Sequence, residues 1–321
     1  MAAVRSPAPD TLLAMINSGR NVVLMLVGVV MLAGLGCGDE QAQTQSSPPS
    51  QSGQPAPTPK PAPAATSSQL SWAEVLEQNP DPKIVTDADF LKRIKATGLP
   101  WQVTHKSTGI EMLLVPPGTF MMGASPGDTQ ASDEEKPAHE VTITKAFYLG
   151  RTEVTQAQWF KVMDTNPSTF RGESLPVDKV SWNDISVFLK KARGGLQLPT
   201  EAEWEYACRA GTKGATYGDL DLIAWNNFSS GGTTHPVGNL QPNALGFCDI
   251  LGNVCEWCED WYGPYPSGSV TNPTGPTTGS SRLLRGGYWC FSSNGCRVSQ
   301  RSGYTPDNLF TGFGFRVART P

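Results

Sequence analysis

Histidine is scarce in this chain, and the few that are present are far apart. His105, His139 and His235 are the only histidines among 321 residues. No two of them stand at the short spacing that metal-binding motifs use. The sequence therefore predicts no metal centre built from several histidines.

Motifs for nucleotide binding and for serine hydrolases are also absent. The chain has no G-x-G-x-x-G, no Walker A run, no protein-kinase motif set and no G-x-S-x-G elbow. Lysine and arginine number 25 against 29 acidic residues, a net charge of −4, so no basic surface for nucleic acid is indicated. We expect neither a nucleotide nor a nucleic-acid partner.

The chain has no apolar run long enough to cross a membrane. Residues 22–33 form an apolar run of 12 residues, whereas a spanning helix needs about 20. This run follows Arg5 and Arg20 and leads to Leu35-Gly36-Cys37, which resembles a bacterial lipobox. The pattern predicts a signal peptide over 1–37. It also predicts export and a lipid on Cys37 that anchors the protein on the periplasmic or cell-surface side of a membrane.

Composition divides the rest of the chain into three parts. Residues 38–69 are mostly Pro, Gln, Ser and Ala and have too little apolar surface to offset the entropy of ordering, which predicts a disordered tether. Residues 70–108 are expected to form a short helical segment, with one helix capped by Ser71 and another beginning near Ala88. Residues 109–320 are enough for one large domain. With 33 Gly and 27 Pro in the chain, we expect short elements and long loops.

Several short elements are predicted within that domain. Residues 110–115 and 119–123 are separated by Pro116-Pro117-Gly118 and are expected to form a hairpin-like pair of strands. Residues 139–144 alternate as a strand does. A helix is expected after each of three capping boxes. Each helix carries a tryptophan that is expected to pack inward. The boxes are Thr155 with Gln158, Ser181 with Asp184, and Thr200 with Glu203, and the tryptophans are Trp159, Trp182 and Trp204.

Two cysteines near the end of the chain are candidates for chemistry. Cys290 and Cys296 follow the glycine pair Gly286-Gly287, which allows positive φ and close approach of other groups. Two thiolates on one loop could bind a soft cation such as Cu(I). The same spacing suits a structural disulfide or two buried thiols. Three arginines nearby are expected to favour the thiolate form: Arg285, Arg297 and Arg301.

Several stretches of the chain resemble one protein family. RLLRGGYWC, CRVSQR and GFGFRVA resemble the C-terminal signature of the formylglycine-generating enzymes, the sulfatase-modifying factor family. LPTEAEWEYACRAGT and DILGNVCEWCEDWY resemble earlier segments of that family. The resemblance implies an α+β, loop-rich, C-type-lectin-like fold. It also implies oxidation of a substrate cysteine to formylglycine by O2 and a copper ion held by two cysteines of the loop, here Cys290 and Cys296.

The cysteine loop departs from the family pattern by one residue. Catalytic members have four residues between the two cysteines, and this chain has five, FSSNG. Counted from Gly286, Cys296 takes the position of the second family cysteine, Cys290 lies one place early, and Tyr288 replaces the usual serine. Two functions remain open. One is copper-dependent oxidation of a cysteine-containing protein or peptide, and the other is a non-catalytic binding module at the cell surface.

Calcium is the second ion that the resemblance implies. Asn253 and Glu256 match positions whose oxygens bind Ca2+ in family members, and Asn226 or Asn227 would lie in a second calcium segment. Such oxygens are what this hard cation needs. The alternative is that Glu256 pairs with an arginine in the core.

The remaining cysteines leave the redox state open. Besides Cys37, the chain has six cysteines, and an even number in an exported protein favours disulfides. Cys255 and Cys258 form a CxxC motif that could instead bind zinc together with the later pair. The six are Cys208, Cys248, Cys255, Cys258, Cys290 and Cys296.

Overall fold

A computed structural model describes residues 70–321 of the chain. The predicted signal peptide, the lipidation site Cys37 and the predicted tether lie outside the described residues. Between residues 70 and 321, no helix is both long enough and apolar enough to cross a membrane.

The described residues form short strands and short helices joined by long loops, which confirms the α+β class. The helices are α1 (Ala88–Ala96), α2 (Gln156–Met163), α3 (Trp182–Ala192), α4 (Glu201–Arg209) and α5 (Leu220–Ile223). The first seven strands are β1 (Ala73–Glu77), β2 (Gln102–His105), β3 (Glu111–Val115), β4 (Gly118–Met122), β5 (His139–Ile143), β6 (Phe147–Gly150) and β7 (Ala224–Trp225). The others are β8 (Leu251–Gly252), β9 (Cys255–Trp261), β10 (Val270–Thr271), β11 (Arg282–Arg285), β12 (Arg301–Tyr304), β13 (Phe313–Gly314) and β14 (Ala318–Arg319).

The main sheet has five strands in the order β1-β2-β3-β6-β14. All neighbouring strands in it are antiparallel. The central strands β3 and β6 are buried along almost their whole length, so both of their faces contribute to the core. Because β14 pairs with β6, the sheet joins the beginning and the end of the described chain.

The segment before the expected domain is part of this sheet. Residues 73–77 form β1, which pairs with β2, so the prediction of a helix capped by Ser71 is wrong. Trp72 and Ala73 are buried in the core, and β1 pairs with β2. These tertiary contacts outweigh the local capping pattern, because helix propensity is a weak determinant beside them. The second expected helix is confirmed as α1, which is capped by the side chain of Asp87.

Strands β3 and β4 do not pair with each other, so the predicted hairpin is wrong. β3 pairs with β6, whereas β4 pairs with β5 in a separate three-stranded sheet of order β10-β5-β4. Pro116 and Pro117 between them have no backbone N–H to donate to a ladder, and the chain changes sheet at this point. The strand expected at 139–144 is confirmed as β5.

All three predicted capping boxes are present, and they begin α2, α3 and α4. In each box the Ser or Thr side chain accepts from the backbone N–H three residues later, and that residue's side chain accepts from the backbone N–H of the cap. Trp159 and Trp204 are buried as expected, whereas Trp182 is half-buried and packs against the core from outside.

A four-stranded sheet of order β12-β11-β9-β13 positions the candidate site. β11 is antiparallel to both β9 and β12, and its last three residues are buried. The chain leaves β11 at Gly286 and enters β12 at Arg301. The loop 286–300 is therefore anchored at both ends by neighbouring strands of one sheet.

Candidate functional site

The loop 286–300 begins with two glycines that allow it to fold back on itself. Gly286 and Gly287 have φ angles of 93° and 75°, which favour glycine over other residues. A Cβ atom on Gly287 would lie 2.5 Å from the carbonyl oxygen of Gly295 and 2.9 Å from Cys296 Sγ. The close approach expected from the glycine pair is confirmed.

The two cysteines of this loop lie in different environments. Cys290 is exposed, whereas Cys296 is completely buried, and a 3-10 turn over Ser293–Gly295 lies between them. Burial raises the pKa of the Cys296 thiol to about 12. At neutral pH Cys296 is therefore protonated, which makes it a poor nucleophile.

The three arginines near the cysteines are paired with carboxylates. The expectation that these arginines favour thiolates is wrong, because each of them forms an ion pair with a buried acid from a distant part of the chain. The pairs are Arg285 with Glu205, Arg301 with Glu201 at 2.8 Å, and Arg297 with Glu135 at 2.7 Å.

Arg297 fixes the second half of the loop to residues 128–135. Its guanidinium donates to both oxygens of Glu135 at 2.7 Å and to Asp128 at 2.8 Å. Burial raises the pKa of Glu135, but hydrogen bonds from Arg297 and Ser299 outweigh burial and lower the pKa to about 2. Glu135 is therefore charged throughout the neutral range and holds the loop in place.

Apolar side chains lie at the other half of the loop, some on the loop itself and some on neighbouring segments. Phe228, Leu309 and Phe310 are 76%, 54% and 45% exposed, and Trp289 and Phe291 flank Cys290 as partly buried rings. We call these five residues the aromatic surface.

The ring of Tyr288 packs against three rings of the aromatic surface. Its ring centroid lies 4.3 Å from that of Phe291 and 5.9 Å from those of Trp289 and Phe310. The backbone N–H of Asn227, which precedes Phe228, donates to the carbonyl oxygen of Phe291. Trp289, Phe291 and Phe310 are therefore joined through Tyr288, and the segment that carries Phe228 is bonded to the same loop.

The asparagines predicted to bind calcium already bond to backbone groups. Asn253 Oδ1 accepts from the His235 N–H at 2.9 Å, and Asn226 Oδ1 accepts from the Phe228 N–H at 2.9 Å. The side chain of Asn227 is on the surface. These contacts occupy the side-chain oxygens of Asn226 and Asn253 with backbone N–H groups.

Glu256 forms an ion pair in the core. Its two oxygens accept from Arg316 at 2.6 and 2.7 Å, and one of them also accepts from Trp204 Nε1 at 2.7 Å. Both partners of the ion pair are completely buried. This arrangement favours the alternative interpretation of Glu256 over a calcium ligand.

Two buried acids that we did not single out from the sequence lie near this ion pair. Both oxygens of Glu153 and Oδ1 of Asp249 are buried without a hydrogen-bond partner. Burial raises the pKa of Asp249 to about 6. Burial, and then repulsion from Asp249, raise the pKa of Glu153 well above its usual value. The sequence carried one signal for Asp249. This residue stands in the run DILGN, whose asparagine, Asn253, we predicted to bind calcium.

The CxxC motif does not form a chelating pair. Successive residues of a strand face opposite sides, so Cys255 and Cys258 point to opposite faces of β9. Within residues 70–321, no group of three or more His, Cys, Asp or Glu side chains has an arrangement that could hold a metal ion. The zinc alternative is not supported, and the six cysteines described are free thiols.

Known proteins match most of the described chain. The sulfatase-modifying factor enzyme 1-like domain matches residues 85–321. A formylglycine-generating enzyme of Streptomyces coelicolor is 32% identical over 277 residues, covering 64% of this chain and 87% of that protein. Chaperone protein LppX of Paenibacillus barcinonensis is 29% identical over 292 residues, covering 72% of this chain and 98% of that one. Among solved structures, Treponema denticola variable protein 1 has 31% identity and a TM-score of 0.59, covering 66% of this chain and 95% of that one.

Proposed function

Because this chain belongs to the sulfatase-modifying factor family, we propose that it uses the family's fold as a non-catalytic module that binds segments of other proteins. The observation that supports this proposal most is the separation of the two loop thiols. Cys290 is in solvent, and Cys296 is buried as a protonated thiol.

The residues present do not fit a copper ion held by Cys290 and Cys296. A two-thiolate site needs both sulfurs directed at one point, whereas Cys290 is exposed and Cys296 is buried. Counted from Gly286, Phe291 stands where the family places its first cysteine. We therefore derive no oxidation step for this chain.

The aromatic surface is the candidate binding face. Contiguous exposed apolar patches on soluble domains usually mark interaction sites, and tryptophan and other aromatic rings contribute most of the energy at such sites. Trp289 and Phe291 of this surface belong to the loop 286–300, which corresponds to the loop that carries the two cysteines in the family's catalytic members. One relative is named a chaperone, a class of protein that binds other proteins without changing them chemically.

A peptide with a sulfatase-type cysteine motif tests the proposal, in parallel with the same peptide carrying serine. We expect both peptides to bind with similar Kd in fluorescence anisotropy, because recognition without chemistry does not need the thiol. Trp289→Ala is expected to weaken binding at least tenfold, since aromatic anchors commonly contribute more than about 1.4 kcal/mol. Phe160→Ala is the matched control, because Phe160 is 54% exposed on α2, outside the aromatic surface.

Two outcomes would contradict the proposal. If the cysteine peptide becomes an aldehyde in the presence of Cu(I) and O2, the chain is an oxidase. If neither peptide binds, or if Trp289→Ala binds as the natural chain does, the aromatic surface is not the binding face.

The proposal includes a membrane anchor at Cys37, which would hold the binding domain at the membrane. Mass spectrometry of the native N-terminus is expected to show a lipid on Cys37. Cys37→Ser is expected to release the protein from membranes, because residues 38–69 contain no apolar run that could hold it there. An unmodified N-terminus that begins at Met1 would contradict the anchor.

We also propose that calcium, if this chain binds it as the resemblance implies, is held by Glu153 and Asp249 and not by the asparagines and Glu256. These buried oxygens lack partners, and an oxygen-binding cation would supply the missing charge. Two carboxylates alone do not complete a calcium shell, so backbone carbonyls or water would supply its other ligands.

A further inference from the structure

We propose that Cys255 and Cys296 are the thiol pair of this chain that closes into a disulfide. Both cysteines lie near the start of the loop 286–300. The backbone N–H of Trp289 donates to the carbonyl oxygen of Asn253 at 3.0 Å, two residues before Cys255, and a Cβ on Gly287 would lie 2.9 Å from Cys296 Sγ. Because Gly287 has no side chain, Cys296 can approach the segment that carries Cys255.

Electrostatics agree with this proximity. Burial raises the pKa of Cys255 well above its usual value, and the next contribution in size is repulsion from Cys296. Such repulsion acts only between neighbouring groups in a protein interior. Both thiols are buried, Cys255 at 4% exposure and Cys296 at 0%, so a bond between them would lie in the core.

The other cysteines of residues 70–321 face elsewhere. Cys258 lies on the opposite face of β9 from Cys255, and its sulfur is directed at the carbonyl oxygen of Glu256. The charged groups that act on Cys248 are led by Asp249 and Arg151, and no cysteine is among them. Cys208 is buried on α4, and the charged groups that act on it are led by Arg285 and Arg209, with no cysteine among them. Cys290 is in solvent. Cys255 is therefore the partner that the geometry favours for Cys296.

The oxidation is a two-step exchange with a low-molecular-weight disulfide, RSSR, such as oxidised glutathione. Because both thiols are buried in the folded protein, this exchange takes place while the chain is folding: one cysteine, as the thiolate, attacks RSSR, forms a mixed disulfide and releases one RSH after proton transfer. The second cysteine then attacks the protein sulfur of the mixed disulfide, forms the Cys255–Cys296 bond and releases the second RSH. The two cysteines lose two protons and two electrons, and RSSR is reduced to two RSH.

The bond would join β9 to the end of the loop that carries the aromatic surface. Cys296 directly precedes Arg297, which is already fixed to Glu135. A disulfide at Cys296 would fasten the same point to the four-stranded sheet. It would also remove Cys296 from any copper chemistry. The disulfide would therefore hold in place the loop that the proposed binding function uses. The bond can form whether or not the chain binds other proteins.

Peptide mapping of the full chain tests the pairing directly. The protein is purified from an oxidising compartment, its free thiols are alkylated, and it is digested without reductant for mass spectrometry. We expect a cross-linked peptide pair containing Cys255 and Cys296 and full alkylation of Cys290. Full alkylation of both Cys255 and Cys296 would overturn the proposal. A bond from Cys296 to Cys290 or Cys258 would overturn it too.

Melting temperature gives a second, independent measurement. A reductant is expected to lower the Tm of the natural chain by on the order of 5–10 °C. Cys255→Ala and Cys296→Ala are each expected to abolish this response, whereas the matched control Cys290→Ala keeps it. Should an alanine variant fail to fold, Cys255→Ser or Cys296→Ser replaces it. A response that is lost in Cys290→Ala and kept in the other two would contradict the pairing.

Discussion

Two clusters of buried carboxylates in this domain differ in how many arginines accompany them. In the balanced cluster, Glu201 and Glu205 meet Arg209, Arg285 and Arg301. In the acid-rich cluster, Glu153, Asp249 and Glu256 share one arginine, Arg316, which pairs with Glu256. The first cluster satisfies its own charges, and the second leaves three carboxylate oxygens without partners.

This difference separates scaffold from candidate site. A buried charge is tolerated when it is paired and hydrogen-bonded, and otherwise it takes up a proton or a cation. The balanced cluster connects α4 to β11 and β12 and so supports the loop 286–300. The acid-rich cluster connects the start of α2 to the turn before β8, and its unpaired oxygens can respond to pH.

The largest effect is expected from breaking the balanced cluster at Arg285. Arg285→Leu removes the cation bonded to Glu205 and leaves that buried carboxylate with only Arg209. Breaking such a pair typically costs about 3–5 kcal/mol, which chemical denaturation would measure as a loss in the free energy of unfolding. The control is Arg151→Ala, which breaks a half-exposed pair with Glu111 and is expected to cost less than about 1 kcal/mol. Similar losses in both variants would contradict the scaffold role.

The next effect concerns calcium at the acid-rich cluster. A ligand bound only to the folded state at 100 times its Kd stabilises by about 2.7 kcal/mol, so a chelator should lower the Tm measurably. Asp249→Asn is expected to abolish the chelator response. Asp133→Asn should keep it, because Asp133 has a fully exposed side chain. An identical Tm with and without chelator would show that the acid-rich cluster holds protons instead of calcium.

The pH dependence in the presence of chelator sharpens the comparison. Because the pKa of Asp249 rises from its usual 3.8 to about 6 on folding, the folded state retains a proton that the unfolded state loses. Stability from this group is present below about pH 4 and falls by at most about 1.4 kcal/mol per unit as pH rises towards 6. Asp249→Asn should flatten this region of the profile in thermal melts. The same slope in that variant would assign it to another acid.

Glu135 should give the opposite slope at lower pH. Its pKa falls to about 2 on folding because Arg297 and Ser299 stabilise the carboxylate. The stability it contributes is present above about pH 4.5 and is lost as pH falls towards 2. Glu135→Gln is expected to lose stability at pH 7 and to show a flatter acid limb. An unchanged acid limb would mean that other carboxylates control acid unfolding.

Local sequence patterns predicted the parts of the fold that depend on neighbouring residues. The three capping boxes, at Thr155, Ser181 and Thr200, are contacts between residues three apart, and all three are present. The helix expected at Ser71 was wrong because β1 is determined by pairing with β2, nearly 30 residues away. The motif resemblance predicted the family and the fold class, since it compares whole segments in order.

The candidate site could be predicted only in part, for the same reason. The sequence placed Arg285 beside two cysteines, but its actual partner Glu205 is 80 residues earlier. It also placed Cys290 and Cys296 on one loop, but the burial of Cys296 depends on the fold around Gly287. Asp249 and Glu153 come together only through the packing of distant elements, so neither stood out.

The smallest effect is expected at Thr200, where a local signal supports the balanced cluster. Thr200 Oγ1 accepts from the Glu203 N–H at 3.1 Å, and the Glu203 side chain accepts from the Thr200 N–H at 2.9 Å. This capping box fixes the first turn of α4, which carries Glu201 towards Arg301. Thr200→Ala should cost about 1 kcal/mol in urea unfolding with an unchanged m-value, the usual cost of losing such a cap. Thr200→Ser keeps the hydroxyl and should retain most of that stability. If the serine variant loses as much as the alanine variant, packing of the threonine methyl group, and not the cap, is what holds the start of α4.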